Sequence, residues 1–470
     1  SIQLTPGVPN LWKNKPSVYN GKIHKNEPYG NFEKEVRIAF KVLMELMIKG
    51  DYNERPFNFP KPEIGFMKEF MIPKEKDVYY KHPDSIPTYD ELYDLVFELT
   101  AKFGTPYFDN MIPDYRNHNE DTIACYQCCA YNFSTSQKID DEFNNKMYFK
   151  KRIGFSMGAW QVVTVNCPRI AYNSPTYDDF IKNWKKMVDL SVDVFIEKKK
   201  FMDIQLKANR IPFAQQKPKN HEYQSEYPLV DFDKLVWEIG IVGIDDVVKY
   251  YTKKSMHESI DSFELAQYLC LEMKNVVLQK SKETKMNLVL ARTPAETTAQ
   301  RFAVADLIDP QYTDSARTVV SGDLQRALKM VQQTKNLPIY YTNGTHVPVS
   351  ADCTLIERLK IEEDFFDILD GGNIHHIFIE EAYSDHKGLK EFAMNIIKNT
   401  KIGYFAFTKI LTACGDCYYV EQGQLESCTN CKSKNVDYIS RITGYMSNLK
   451  SWNKAKQQEF KDRKLYALKR

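Results

Sequence analysis

Two CxxC pairs near the C-terminal end constrain this chain more than any other feature. Cys414-Gly-Asp-Cys417 and Cys428-Thr-Asn-Cys431 are separated by ten residues. Each pair can set two thiolates on one side of a tight turn, and two facing turns make a tetrahedral sulfur site. The separation leaves room for a β-hairpin between the knuckles. The spacing therefore predicts a structural zinc held by Cys414, Cys417, Cys428 and Cys431. Four sulfur ligands leave no open position for catalysis, so such a metal braces a fold. Redox-active dithiols are the alternative chemistry. A nucleic-acid-binding ribbon would want a basic face, but the segment between the knuckles carries Glu421 and Glu426 and no Lys or Arg. No direct nucleic-acid contact is expected.

The other cysteines sharpen the point. Cys125, Cys128 and Cys129 cluster, while Cys167, Cys270 and Cys353 stand alone. Ten cysteines in 470 residues are too few for a disulfide scaffold, and their clustering points to metal binding or catalysis with thiols kept reduced. No apolar run is long enough to cross a bilayer, so no membrane partner is expected and the cytoplasm is the expected compartment. A formal net charge of +2 gives no bulk field for a polyanion, so substrate phosphates would have to be held by local groups.

Along the chain, residues 1–30 are rich in Pro, Asn, Gly and Lys and read as an extended arm. Phe32, Val36, Phe40, Leu43 and Met47 recur at helical spacing before Gly50, which supplies a stop. Helices are also predicted over 178–200 and 262–280. Short β-branched or apolar runs lie between them: Val162 to Val165, Ile239 to Ile244, Asn287 to Leu290 and Tyr404 to Ile410. Strands alternating with long helices predict an α/β fold, a mostly parallel sheet or barrel with helices outside. The pattern changes near residue 411. The division expected is an arm at 1–30, a catalytic α/β portion at 31–410 and a zinc-binding portion at 411–470.

Beyond the second knuckle comes Arg441-Ile-Thr-Gly444-Tyr445, then Ser451-Trp-Asn-Lys-Ala-Lys-Gln-Gln-Glu-Phe460. A glycine before an aromatic is most often a turn position that needs positive φ. The string, however, resembles the radical loop of glycyl-radical enzymes. Glycine suits that chemistry because a radical at its Cα is stabilised by the flanking amide and carbonyl, and the carbon can flatten without a Cβ clash. The resemblance implies that Gly444 stores the radical.

A stored carbon radical needs a sulfur to pass it to. The segment Ala124-Cys-Tyr-Gln-Cys128-Cys129-Ala-Tyr131 is similar to the finger loop of the anaerobic, class III ribonucleotide reductases, whose MCCR- or MGCR-like string carries a transient thiyl. The match gives that role to Cys129. Gln127 and Ala130 stand where the family has methionine and arginine, which leaves Cys128 as the alternative. Val163-Thr-Val-Asn166-Cys-Pro-Arg-Ile-Ala171 is close to the family's TVTINLPRIA, and the match makes Asn166 the amide that hydrogen-bonds the ribose hydroxyls. Thr293-Pro-Ala295-Glu296-Thr297-Thr298-Ala299 is similar to the family's TPAESTA-type loop. By local pattern it predicts a helix with Thr293 as N-cap, Pro294 in the first turn and Glu296 closing a capping box. By resemblance Thr293, Ala295, Glu296, Thr297 and Thr298 cradle substrate phosphates, and the two roles are compatible because a helix start binds anions.

The resemblance implies part of a ten-stranded α/β barrel with a small C-terminal zinc-binding glycyl-radical domain. It implies anaerobic reduction of ribonucleoside triphosphates to deoxyribonucleoside triphosphates. An iron–sulfur, S-adenosylmethionine-dependent activating enzyme would generate the glycyl radical on Gly444, and formate or a thioredoxin-like protein would supply electrons. Relative to the family the chain starts late, so it is expected to be a C-terminal portion that needs an N-terminal reductase portion, with a dimer in the complete enzyme. The rivals are a glycyl-radical enzyme of the pyruvate formate-lyase type and an inert zinc-binding homologue.

Overall fold

The strongest helical periodicity comes out as a helix, α1 (Glu33–Lys49), which buries Arg37, Phe40, Met44 and Met47 on one stripe. Gly50, at φ 83°, ends it by donating its N–H to the Leu46 carbonyl at 3.0 Å, a conformation that a side chain would resist. A computed structural model describes residues 2–20, 22–82, 84–117, 122–127, 131–136, 158–217, 228–380 and 385–467. Further helices are α2 (Tyr89–Phe103), α3 (Cys167–Tyr172), α4 (Tyr177–Lys207), α5 (Ile260–Thr284), α6 (Thr298–Ile308), α7 (His386–Asn399) and α8 (Lys454–Asp462). Thr176 caps α4 by accepting the Asp179 N–H at 3.1 Å, and α4 buries Phe180, Trp184, Val188 and Phe195. No helix among the described residues is long and apolar enough to cross a membrane.

Eight strands carry the α/β portion: β1 (Ile2–Leu4), β2 (Pro62–Phe66), β3 (Tyr107–Asn110), β4 (Ala159–Asn166), β5 (Val236–Val242), β6 (Leu288–Arg292), β7 (His375–Phe378) and β8 (Tyr404–Thr408). They make a five-stranded sheet in the order β1-β2-β3-β8-β7, and a three-stranded sheet in the order β6-β5-β4. Every pairing is parallel except β3 with β8. All seven residues of β5 are buried, as a parallel strand covered on both faces requires. The fold is thus mixed α/β with parallel sheets. Residues 1–30 contribute β1 and an antiparallel hairpin of Pro16–Tyr19 with Lys22–Pro28.

From Leu411 the architecture changes to a four-stranded antiparallel sheet: β9 (Leu411–Cys414), β10 (Val420–Gln422), β11 (Val436–Arg441) and β12 (Met446–Asn448), in the order β10-β9-β11-β12. It is not a free module. Leu411 and Met446 belong to the same apolar core as Phe66, Phe108 and Phe405 of the five-stranded sheet.

Candidate functional site: a cysteine cluster and a buried glycine hairpin

The four cysteines of the two CxxC pairs meet. Their sulfurs all lie within 4.8 Å of one another, with Cys414 to Cys431 at 3.5 Å and Cys417 to Cys428 at 3.6 Å. A tetrahedron with metal–sulfur bonds of about 2.3 Å has edges of about 3.8 Å, so the donor set fits a metal ion such as zinc. Backbone N–H groups of Asp416 and Cys417 point at the Cys414 sulfur from 3.4 and 3.5 Å. The Asp416 carboxylate accepts from Ser433 and Asn435 and ties one knuckle to the other. These same bonds hold its carboxyl below the usual range.

Strand pairing sets where the glycine lies. Cys414 pairs with Val436 at one end of β11, and Arg441 pairs with Met446 at the other. Ile442 to Tyr445 form the loop between β11 and β12, closed by the Ile442 N–H on the Tyr445 carbonyl at 3.2 Å. Gly444 sits in this loop and is buried. The hairpin is pinned from three sides. The Tyr107 hydroxyl donates to the Gly444 carbonyl. Arg441 donates to the Gly104 carbonyl at 2.5 Å. Glu296 accepts from the Thr443 hydroxyl at 2.7 Å and from the Tyr445 hydroxyl at 3.2 Å. Burial and the Glu296 carboxylate push the Tyr445 phenol above its ordinary value.

The loop after β6 departs from its predicted cap. The helix begins at Thr298, not after Thr293, and Thr297 occupies the capping position without a side-chain hydrogen bond. Thr293 is drawn off by tertiary partners. Its hydroxyl meets that of Thr164 at 2.9 Å, and its N–H bonds the Ile241 carbonyl at 3.3 Å. The Glu296 side chain, expected to reach back along its own loop, is taken by the glycine hairpin, and its backbone carbonyl accepts from Asn453 at 3.1 Å. Ala295 is fully buried. Thr293 and Thr443 both line one cavity, together with Arg292, Asn343, His346 and Glu362. Burial and the nearby Arg292 push the His346 imidazole down to about 4, and its Nδ1–H donates to the Glu362 carboxylate at 3.0 Å.

Asn166 caps α3, accepting the Arg169 N–H at 3.3 Å, and donates to Asp306 at 2.8 Å. Fully buried Asp306 also accepts from Arg169 at 2.5 Å and from Tyr341 at 2.8 Å. Asn166 faces a different cavity, which it lines with Thr164, Arg169 and Phe302. The Thr164–Thr293 contact is where the walls of the two cavities meet. Cys128 and Cys129 lie outside the described residues. Sequence reasoning missed Tyr107 and Asp306, which no local motif marks, and it misjudged the partner of Glu296.

The fold is that of the anaerobic ribonucleotide reductases. One solved anaerobic ribonucleotide reductase superposes with a TM-score of 0.65 at 15% identity, over 98% of this chain and 63% of its own. The Thermotoga maritima enzyme with glycerol in the active site gives 0.63 at 14% identity, over 95% and 62%. The same enzyme in complex with dATP and CTP gives 0.64 at 12%, over 97% and 64%. The chain thus spans less than two thirds of the length of these structures. No curated protein matches it by sequence. A sequence model of the anaerobic ribonucleoside-triphosphate reductases matches residues 1–466, and the chain belongs to that family.

Proposed function

We propose that this chain is the C-terminal catalytic portion of an anaerobic ribonucleoside-triphosphate reductase, acting in the cytoplasm with an N-terminal reductase portion. The observation that carries the reading is the buried Gly444 hairpin, latched by Glu296 to the loop that resembles the family's phosphate loop, in a chain of this family. The strands of the two parallel sheets would belong to a ten-stranded barrel completed in the whole enzyme. The three-part division at residues 30 and 410 is retained as part of this reading.

In the proposed reaction an iron–sulfur, S-adenosylmethionine-dependent activating enzyme removes one hydrogen atom from the Gly444 Cα. Cys129, with Cys128 as the alternative, returns a hydrogen atom to that carbon, and its thiyl takes the 3′ hydrogen of a bound ribonucleoside triphosphate. The 2′ hydroxyl leaves as water after protonation. Formate or a thioredoxin-like protein supplies the two electrons, and the 3′ hydrogen then returns from the cysteine. Asn166, fixed by Asp306, would orient the ribose hydroxyls. Thr293, Ala295, Thr297, Thr298 and the uncapped N–H groups of α6 would receive phosphate, with Glu296 holding the loop to the hairpin. The uncapped start of α6 supports this, since free N–H groups at a helix N-terminus favour anions. Zinc at the cysteine cluster would be structural, and the complete enzyme a dimer.

The test is anaerobic activation of the reconstituted halves with the activating enzyme. A glycine-centred doublet in electron paramagnetic resonance, abolished by Gly444→Ala, and deoxynucleotide formation are expected. No doublet with both halves present would overturn the radical reading and favour an inert zinc-binding homologue. A doublet without deoxynucleotide would point to another glycyl-radical chemistry.

A further inference from the structure

The Gly444 carbonyl has a partner 337 residues earlier in the chain. Tyr107 opens β3, is 1% exposed, and donates its hydroxyl to that carbonyl. Its ring is held on every side. The Tyr404 ring stacks on it with centroids 5.7 Å apart and planes 9° from parallel. The Lys61 ammonium lies 3.9 Å from the ring centroid and the Arg441 guanidinium 4.1 Å. Both cations are themselves fixed. Lys61 pairs with buried Glu63 at 3.2 Å, while Arg441 donates to Gly104 and its own carbonyl accepts from Arg463 at 2.9 Å. A tyrosine so enclosed cannot swing away by a simple rotamer change.

We infer that Tyr107 is a positioning residue for Gly444, fixing its carbonyl and tuning the glycine-centred radical. The inference rests on the radical reading given above. Spin on a glycine Cα spreads onto the flanking amide nitrogen and carbonyl only while these groups stay coplanar with the flattened carbon. A phenol proton on the carbonyl oxygen holds that plane and strengthens the electron-withdrawing half of the system. The proton stays on the tyrosine throughout, and no bond to it is broken.

The two cations decide between this role and that of a relay. A tyrosine that passed an electron would have to lose one from its ring, and the two positive charges over that ring oppose the loss. Lys61 and Arg441 instead favour the intact phenol as a donor. The arrangement keeps the spin on the glycine.

The experiment uses this chain with its N-terminal portion and compares the wild type with Tyr107→Phe. The substitution keeps the ring, its stack and both cation contacts, and removes only the hydroxyl. Without activation, amide exchange of residues 442–446 should rise about three- to tenfold, the equivalent of one net hydrogen bond. After activation, the variant's doublet should show a changed α-hydrogen splitting and decay severalfold faster under strict anaerobiosis. Unchanged exchange together with an unchanged doublet would overturn the inference. Raised exchange with an unchanged splitting and decay would reduce Tyr107 to a structural anchor and also overturn it. A tyrosyl signal in the activated wild type that is missing from the variant would overturn it in favour of a relay. Absence of any doublet in the wild type would sink the radical reading itself, a result distinct from all of these.

Discussion

Removing the metal ion from the cysteine cluster should loosen the knuckles far more than the glycine hairpin, although both lie on one small sheet. The two sites sit at opposite ends of β11, whose six residues span about 17 Å at about 3.4 Å per step. None of the four cluster cysteines hydrogen-bonds residues 442–445 among the described residues, so an effect of the metal would pass through β11 and its four register pairs with β9. A structural zinc in a small peptide is worth roughly 10–16 kcal/mol at neutral pH. Without it the knuckles keep the Asp416 bonds, the contact of Glu421 with Thr429 and short backbone bonds such as Gly415 to Asn435 and Cys428 to Ser433, each worth only about 1 kcal/mol net. Exchange over 414–431 should then rise by at least about a hundredfold, since each 1.4 kcal/mol is about tenfold. The hairpin keeps its bonds from Tyr107, Glu296 and Arg441, each worth about 1 kcal/mol net. Its exchange should rise by less than about tenfold. The assay is hydrogen–deuterium exchange read by mass spectrometry, before and after chelation, with Cys431→Ser as the genetic counterpart. Equal deprotection of 414–431 and 442–446 would refute the weak coupling of knuckles and hairpin, and protected knuckles after chelation would refute the metal site.

Two further outcomes follow from carboxylates. Glu296→Ala should raise exchange over 442–446 by about ten- to a hundredfold, because two hydrogen bonds to one charged group are lost, and it should weaken nucleoside triphosphate binding in a direct binding assay of the reconstituted enzyme; unchanged hairpin exchange would count against the latch. Glu238, on β5 and 2% exposed, has its carboxyl pushed up to about 8 by burial and by Asp370. It is neutral in the folded chain below that pH but ionises above about 4.5 when unfolded, so its contribution to stability is full below pH 4.5 and is lost as pH rises to 8. Glu238→Gln should therefore gain on the order of a few kcal/mol relative to wild type between pH 5 and pH 8, measured as the difference in denaturant midpoints; a constant difference across that range would refute the assignment.

How much of this was legible depended on how local the determinant is. The helices α1, α4 and α5 follow from apolar spacing over several turns, and the cysteine cluster from two short knuckles, because each is settled by nearby residues. The loop after β6 is the contrary case. Thr293-Pro294-x-Glu296 is a sound capping pattern, yet β4 offers Thr164 to the first oxygen and the hairpin offers two hydroxyls to the carboxylate. Bonds to partners more than a hundred residues away outcompeted the local cap, and the helix starts at Thr298 instead. Tyr107 carries no signal at all in its Thr-Pro-Tyr-Phe-Asp-Asn context, since its meaning comes from Gly444. Alternation within β3 puts Tyr107 and Asp109 on the face opposite Phe108; the Tyr107 ring still belongs to the apolar core, so its buried hydroxyl must be met by a polar partner.

That division of labour bears on why glycine can sit where it does. The base of the small sheet is fixed by apolar burial, with Leu411 and Met446 in the main core and Val420 and Ile439 packed against it. Its tip is fixed by hydrogen bonds to Tyr107 and Glu296, whose strength in the folded state is partly offset by the water bonds they replace. Apolar burial sets the position of the strands without reference to the loop, so the loop itself can be chosen for chemistry. A residue with a side chain at 444 would gain nothing in anchoring, because the anchors act on the Gly444 carbonyl and on Thr443 and Tyr445. Gly444 is thus held through its carbonyl and its two neighbours, and none of these bonds acts on its α-carbon.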